Sequence, residues 1–418
     1  MSILVKDVLL GGKRTNILVD GNRIARLDGR PRAEHVIDGR GKAAIPGFVN
    51  THTHAAMTLL RGYADDMALD EWLQRHIWPV EAKMTEKDVY WGTRLACLEM
   101  AKSGTTCFND MYWHVKGAVK AVEDSGLRAQ LSSVYIDMFS QGKAALQRAE
   151  AERHAKRCNA GSRVTISLGP HAIYTVTEES LRWVKELSDK RGLNVHFHLS
   201  ETRKEVDDCL RAHGKTPVEY LADIGFLGPR LLCAHAVWLS RREIRLLAQH
   251  GAKVSHCPTS NMKLSVGGAM DYVQMRKSGV TVSLGTDGAS SNNSLDMFGA
   301  MKSAALLHKM AVGDPTVLPA ADALRMATLD GACALGIEAG IIQPGALADL
   351  TLVNLKRPEM TPLHNLESNL VYSAGGGCVD TVICDGSIVM ESGIVEGEEE
   401  VIEKAGKAAM RLADKNET

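Results

Sequence analysis

Between residues 48 and 343, short apolar runs alternate with longer amphipathic stretches, and most of the runs end in polar residues. The runs end near 50–54, 106–110, 134–137, 168–171, 196–201, 233–237, 254–258 and 284–287, and stretches such as 89–103, 178–191, 241–250 and 295–310 between them read as helices. Near-continuous apolar runs suit parallel strands buried on both faces, and strand–helix alternation predicts βαβ units. Eight such units predict a (β/α)₈ TIM-type barrel over 48–343, whose reactive groups belong at the carboxyl ends of the strands.

The two chain ends carry a different pattern. Residues 3–5, 16–19 and 23–27 read as short strands, and Asp20-Gly21-Asn22 is a hairpin signal. A matching style returns at 348–353 and 379–389, so segments 1–47 and 344–395 are expected to pair into one small β-sandwich domain bracketing the barrel. The tail 396–418 is charged and helix-prone, with Glu398, Glu399 and Glu400 ahead of Lys404, Lys407 and Arg411. Acid first and base last suits a helix dipole, and the tail reads as a solvated surface helix.

Composition narrows the class. The 418 residues carry a formal net charge of −1, and 5% are aromatic, which argues against a nucleic-acid or anionic-membrane surface. No apolar run reaches the ~18 residues a membrane span needs, and Met1-Ser2-Ile3-Leu4-Val5-Lys6-Asp7 has no leader-like pattern. The nine cysteines include no C-x-x-C pair, so reduced, mostly buried thiols in a cytoplasmic protein are expected. A small-molecule substrate follows.

Candidate chemistry collects at the strand ends. The first run closes in His52-Thr53-His54, whose i and i+2 side chains share a face. The fifth ends in His196-Phe197-His198-Leu199-Ser200-Glu201, the sixth carries His235, and the eighth ends in Gly285-Thr286-Asp287-Gly288. Three imidazoles and a carboxylate suit a borderline divalent ion such as zinc with one position left for water. His198, nearer the strand end, is the expected ligand, and His196 an interior histidine. Glu201 lies where a carboxylate can shuttle a proton, His235 where it can orient the water or polarise the attacked carbon, and Asp287 where it can bind metal and accept the water's proton.

These motifs resemble the amidohydrolase superfamily, and within it the methylthioadenosine/S-adenosylhomocysteine deaminase family, most of all the archaeal 5'-deoxyadenosine deaminases. The likeness spans nearly the whole chain: Pro46-Gly47-Phe48-Val49-Asn50-Thr51-His52-Thr53-His54, Trp78-Pro79-Val80-Glu81, Ser103-Gly104-Thr105-Thr106, Gly169-Pro170-His171, His198-Leu199-Ser200-Glu201 and Leu284-Gly285-Thr286-Asp287-Gly288. The resemblance implies one divalent metal ion, zinc first with iron or manganese as alternatives, held by His52, His54, His198 and Asp287. Glu201, His235 and Asp287 would be catalytic. Glu81 would bind the ribose hydroxyls, and His171, Glu201 and Asp287 would also contact substrate. The implied reaction is hydrolytic deamination of an adenosine-type nucleoside, in a homo-oligomer (dimer or tetramer). Ile173 and Cys257 depart from the usual proline and asparagine, and the substrate arginines of some bacterial relatives have no secure match, Arg148 being only a weak candidate, so none is carried over.

Other readings stand beside it. A related deaminase or chlorohydrolase acting on guanine, cytosine or a triazine would have no diol for Glu81 to read. A two-metal cyclic-amide hydrolase would need a lysine at the end of the fourth strand, where Ser167-Leu168-Gly169-Pro170-His171 stands. A non-catalytic scaffold of the same superfamily would have shed ligands that are all present.

Overall fold

The structure, a computed structural model, describes residues 2–29, 31–156 and 162–414; Cys158 lies outside them. Eight parallel strands form one sheet in chain order: Phe48–Thr53, Thr105–Tyr112, Arg128–Tyr135, Val164–Pro170, Val195–Leu199, Leu231–His235, Lys253–His256 and Val282–Leu284, barrel strands 1 to 8 below. Strands 1, 2, 5, 6 and 8 are buried at every residue, as their apolar runs require. Helices such as Glu86–Lys102, Glu178–Arg191 and Arg241–Gln249 fill the crossovers. Each begins at a Thr or Ser whose side chain accepts an N–H from the first turn, which fixes where the helix starts.

Strands 8 and 1 close the barrel through side chains as well as backbone. Asn50 donates to Thr286 Oγ1 at 2.7 Å and accepts the Thr286 N–H at 3.0 Å, and Thr51 donates to the Leu284 carbonyl at 2.9 Å. One residue on, the Asp287 N–H reaches the His52 carbonyl at 2.9 Å. A Cβ on Gly285 would sit 2.7 Å from the His52 Cβ, so only glycine permits this approach. The seam sets His52 and Asp287 side by side.

Both chain ends build a second, mixed eight-stranded sheet. The Asp20 hairpin forms between Lys13–Asp20 and Arg23–Leu27, with Gly21 at φ +57°. Strand Lys42–Pro46 pairs antiparallel with Leu350–Asn354, which joins the amino-terminal strands to the carboxyl-terminal ones. Ile3, Val5, Val8, Ile17, Leu350, Leu352 and Ile383 form its core. Arg128, the first residue of barrel strand 3, anchors this sheet to the foot of the barrel. It donates to Asp349 at 2.8 and 3.3 Å and to Asp385 at 2.8 Å.

The tail helix, Glu398–Ala413, differs from the solvated helix expected. Val401, Ala405, Ala408 and Leu412 are buried, and salt bridges Lys102–Glu398 and Arg411–Asp88, both 2.6 Å, tie it to Glu86–Lys102. The stripe at i, i+4, i+7 and i+11 is an amphipathic face that the high charge conceals.

Seven of the eight described cysteines are buried and Cys333 is exposed; all eight are free thiols. No helix among the described residues is long and apolar enough to cross a membrane.

Candidate active site

The carboxyl-terminal rim is built from turns that hold their residues at positive φ. Ser200 leaves strand 5 at φ 48°, His235 and Ala236 leave strand 6 at 69° and 50°, and Asp287 follows strand 8 at 65°. Such conformations cost non-glycine residues energy and persist where surrounding bonds over-determine them. Here they swing polar side chains over the barrel mouth.

Four donor atoms converge there. His52 Nε2 and His54 Nε2 each lie 3.3 Å from Asp287 Oδ1, and His198 Nε2 lies 3.3 Å from His54 Nε2. Ligands about 2.0–2.1 Å from one tetrahedral ion stand about 3.3–3.4 Å apart, so these separations match a shared divalent cation. His52 Nε2 is buried with no hydrogen-bond partner, which leaves its lone pair for a metal. The outer nitrogens are all engaged: His52 Nδ1 with His196 Nε2 at 2.7 Å, His54 Nδ1 with the Met111 carbonyl at 2.7 Å, and His198 Nδ1 with the His171 carbonyl at 3.0 Å. Outer partners of this kind fix the ring and the tautomer. Asp287 Oδ2 accepts from Ser260 at 2.6 Å and Ser291 at 2.9 Å, and Oδ1, which faces the imidazoles, also accepts the Gly288 N–H at 2.8 Å. The donor set fits a divalent ion.

Electrostatics agree. Burial lowers His52 to about 4 and holds His198 well below the usual histidine range, so at neutral pH no proton competes for these nitrogens. Asp287 is pushed up by burial, but the His52 ring beside it and the other imidazoles around it outweigh this and hold it well below the ordinary carboxylate value. Glu201 is raised by burial, with His235 opposing. His235 shows the reverse balance: burial lowers it, yet Glu201 and Asp287 raise it overall. Its Nδ1–H donates to Asn261 Oδ1 at 2.8 Å, and its Nε2 is 3.8 Å from Glu201 Oε2.

Above these groups opens a pocket of ≈ 710 Å³, its mouth included. His54, His198, Glu201, His235, Asp287, His171 and Glu81 all line it, while His52 lies beneath its floor. Trp72, Trp78, Tyr112 and Trp113 supply apolar wall. Glu81 is raised by burial and lowered in part by the neighbouring Tyr112 hydroxyl. It ends a helical segment that runs from Leu69–Glu71 through a wide π turn, Trp72–Ile77, into Trp78–Glu81. Pro79 has no N–H and clashes with a carbonyl four residues back, and widening the preceding turn relieves both.

A model of the amidohydrolase family matches residues 43–389. The chain belongs to the amidohydrolase family. This amidohydrolase is 49% identical over 418 residues to 5-methylthioadenosine/S-adenosylhomocysteine deaminase 1 of Archaeoglobus fulgidus, covering 98% of the chain and 99% of that protein. It is 50% identical over 409 residues to the 5'-deoxyadenosine deaminase of Methanothermobacter thermautotrophicus, with 96% of each covered. Among solved structures, a zinc-bound adenosine deaminase from Xanthomonas campestris superposes with a TM-score of 0.94 at 34% identity, covering 98% of each chain.

Of three other residues singled out in the sequence, Arg148 and Ile173 lie outside the pocket lining, and Cys257 lies against the site. Arg148 bonds Glu179 at 2.9 Å and stacks over Trp183, away from the pocket lining. Ile173 packs against the main core. Cys257 is fully buried, with its thiol near ring nitrogens of His52 and His235. Conversely, several supporting residues give no signal of their own. Asp110 accepts from the Ala55 N–H at 2.6 Å and Thr53 Oγ1 at 2.8 Å and so fixes the turn that carries His54. Asn261 and Ser260 sit on a helix, Pro258–Lys263, whose direction toward the site is set only in three dimensions.

Proposed function

We propose that this amidohydrolase holds one divalent ion, zinc in the first instance, and deaminates the adenine ring of an adenosine-type nucleoside to the inosine-type product and ammonia. The observation that carries the reading is a single pocket: proton-handling groups on its floor and one carboxylate, Glu81, on a wall that is otherwise mostly aromatic and aliphatic. The names of the near-full-length relatives support it.

His52, His54, His198 and Asp287 would hold the ion. Such an ion, when bound, lowers the pKa of its water toward neutrality and polarises the attacked group. Asp287, steadied by Ser260 and Ser291, accepts a proton from the attacking water. Glu201, its proton affinity raised by burial, protonates the ring nitrogen next to C6. His235, fixed through Asn261, presents Nε2 to orient the water. Oxygen bonds to C6 and the C6–N bond breaks; one of the water's protons leaves with the amino group as ammonia, and the other returns to Glu201 in place of the one given to the ring nitrogen. Glu81 accepts both hydroxyls of the ribose, since a carboxylate has lone pairs for two donors. His171 contacts the bound nucleoside.

The test is ammonia release from 5'-deoxyadenosine, methylthioadenosine, S-adenosylhomocysteine and adenosine beside free adenine, guanine and a triazine. Nucleosides should be preferred, and Glu81→Gln should lower their kcat/KM about 100-fold, the scale of a lost charged hydrogen-bonding partner. A free base or triazine turned over faster than every nucleoside overturns the reading.

A further inference from the structure

Behind Glu201 lies a second buried carboxylate that never reaches the pocket. Glu205 is 5% exposed, and both of its oxygens are committed. Oε1 accepts the Ser200 N–H at 2.8 Å and Oε2 accepts the Glu201 N–H at 2.9 Å. It stands third in helix Arg203–His213, where a glutamate ordinarily reaches back to the N-cap N–H; here the cap is Thr202, and Glu205 reaches further, to the two residues before it. Those two residues form the left-handed exit of strand 5, with Ser200 at φ 48°. The other side of this turn is held too. Ala236 donates to the Leu199 carbonyl at 3.0 Å, and Val237 and Trp238 donate to the Ser200 carbonyl at 3.1 and 2.9 Å. These donors immediately follow His235. The turns bearing Glu201 and His235 are thus interlocked, and Glu205 closes the lock from below.

A second capping glutamate shows what the ordinary arrangement looks like. Glu243 Oε2 accepts from the Ser240 N–H and hydroxyl, both at 2.8 Å, and its other oxygen has no partner. It caps a helix, Arg241–Gln249, and lines no part of the active pocket. Glu205 instead spends both oxygens on the backbone that aims an acid.

We propose that Glu205 is a positioning residue for the hydrolytic reaction: by gripping the N–H groups of Ser200 and Glu201 it fixes the strained turn that points Glu201 at the substrate ring. The assignment rests on the proton-donor role given to Glu201 above. Glutamine in its place keeps one accepting oxygen and sets an NH₂ group against an N–H, so one anchor is lost without loss of volume.

The experiment compares Glu205→Gln, Glu243→Gln and the parent as metal-loaded full-length enzymes. Glu205→Gln should lower kcat 10- to 100-fold with KM within twofold and with metal content unchanged, and its crystal structure should show the Glu201 carboxylate displaced while His198 and His54 stay. Glu243→Gln should lose thermal stability with kcat unmoved. A kcat for Glu205→Gln within twofold of the parent, a fall matched by metal loss, or an undisplaced Glu201 overturns the proposal. Should the parent deaminate no nucleoside, the functional reading falls, and the position of Glu201 in the two crystal structures still decides the role of Glu205.

Discussion

Two buried polar clusters sit at opposite ends of the barrel, and they differ in what they leave undone. At the foot, Arg128 points every bond it makes at Asp349 and Asp385, and the Asp385 N–H also reaches Asp349 Oδ1 at 2.6 Å. Both carboxylates share the one guanidinium, and the half-buried Asp385 also accepts from Asn22, so every group in the cluster has a partner within the protein. At the rim, the outer nitrogens of His52, His54 and His198 are equally well tied, but their inner nitrogens and Asp287 Oδ1 face one another at 3.3 Å. The closed cluster joins two sheets. The open one has ligating capacity left over, and that surplus separates a site from a clasp. The same polarity distinguishes the two faces of barrels of this type, with reactive groups at the carboxyl ends of strands and stabilising ones at the other end.

The largest effect is expected at the open end. Asp287→Asn keeps shape and the hydroxyl partners but removes the charge facing three imidazoles. We expect kcat/KM to fall about 10⁴-fold, the upper range for losing a proton-handling group, with reduced metal content by elemental analysis. If the Asp287→Asn enzyme kept a tenth of parental activity, Asp287 would be removed from the reaction.

At the closed end the signs exchange. Arg128→Met leaves Asp349 and Asp385 facing each other without a cation, and breaking a buried pair in this way costs about 3–5 kcal/mol. Urea unfolding should show that loss, while kcat per metal-loaded folded enzyme stays within twofold. Unfolding at the parental midpoint would mean the clasp does not hold the sheets together.

The two clusters were not equally legible. His52, His54, His198, Glu201, His235 and Asp287 stand at the ends of apolar runs, so counting strands was enough to put them on one rim. The hairpin at Gly21 and helix Glu178–Arg191 were legible for the same reason: their signals are local. Arg128 and Asp349 are 221 residues apart, and nothing near either one names the other. Glu205 carries a capping pattern that predicts a bond to its own helix's first residue, and only the left-handed turn at Ser200 redirects it. The stripe of Val401, Ala405, Ala408 and Leu412 has a helical period, but the charged residues around it mask its apolar character. Patterns with a short period announce themselves, and ties across the fold do not.

The smallest expected effect concerns a buried pair that is neither clasp nor site. His256, at the end of strand 7, and His308, on helix Met297–Val312, meet at 3.1 Å between their Nε2 atoms, and His256 Nδ1 has no partner. Burial lowers His308 to about 4, with Asp271 opposing, and burial together with the neighbouring His308 holds His256 well below the usual histidine range. A histidine whose folded pKa is depressed binds its proton more readily when unfolded, so its contribution is complete above about pH 6.5 and shrinks as pH falls toward 4. At pH 5 the loss from His308 alone comes to about 2 kcal/mol by linkage. His308→Gln cannot take up a proton, so the difference in its unfolding free energy between pH 7.5 and pH 5 should be about 2 kcal/mol smaller than the parent's. The rim histidines titrate alike in both proteins and cancel. Equal pH dependence in parent and variant would show that the pair accommodates a charge, which would make it more like the open rim than its burial implies.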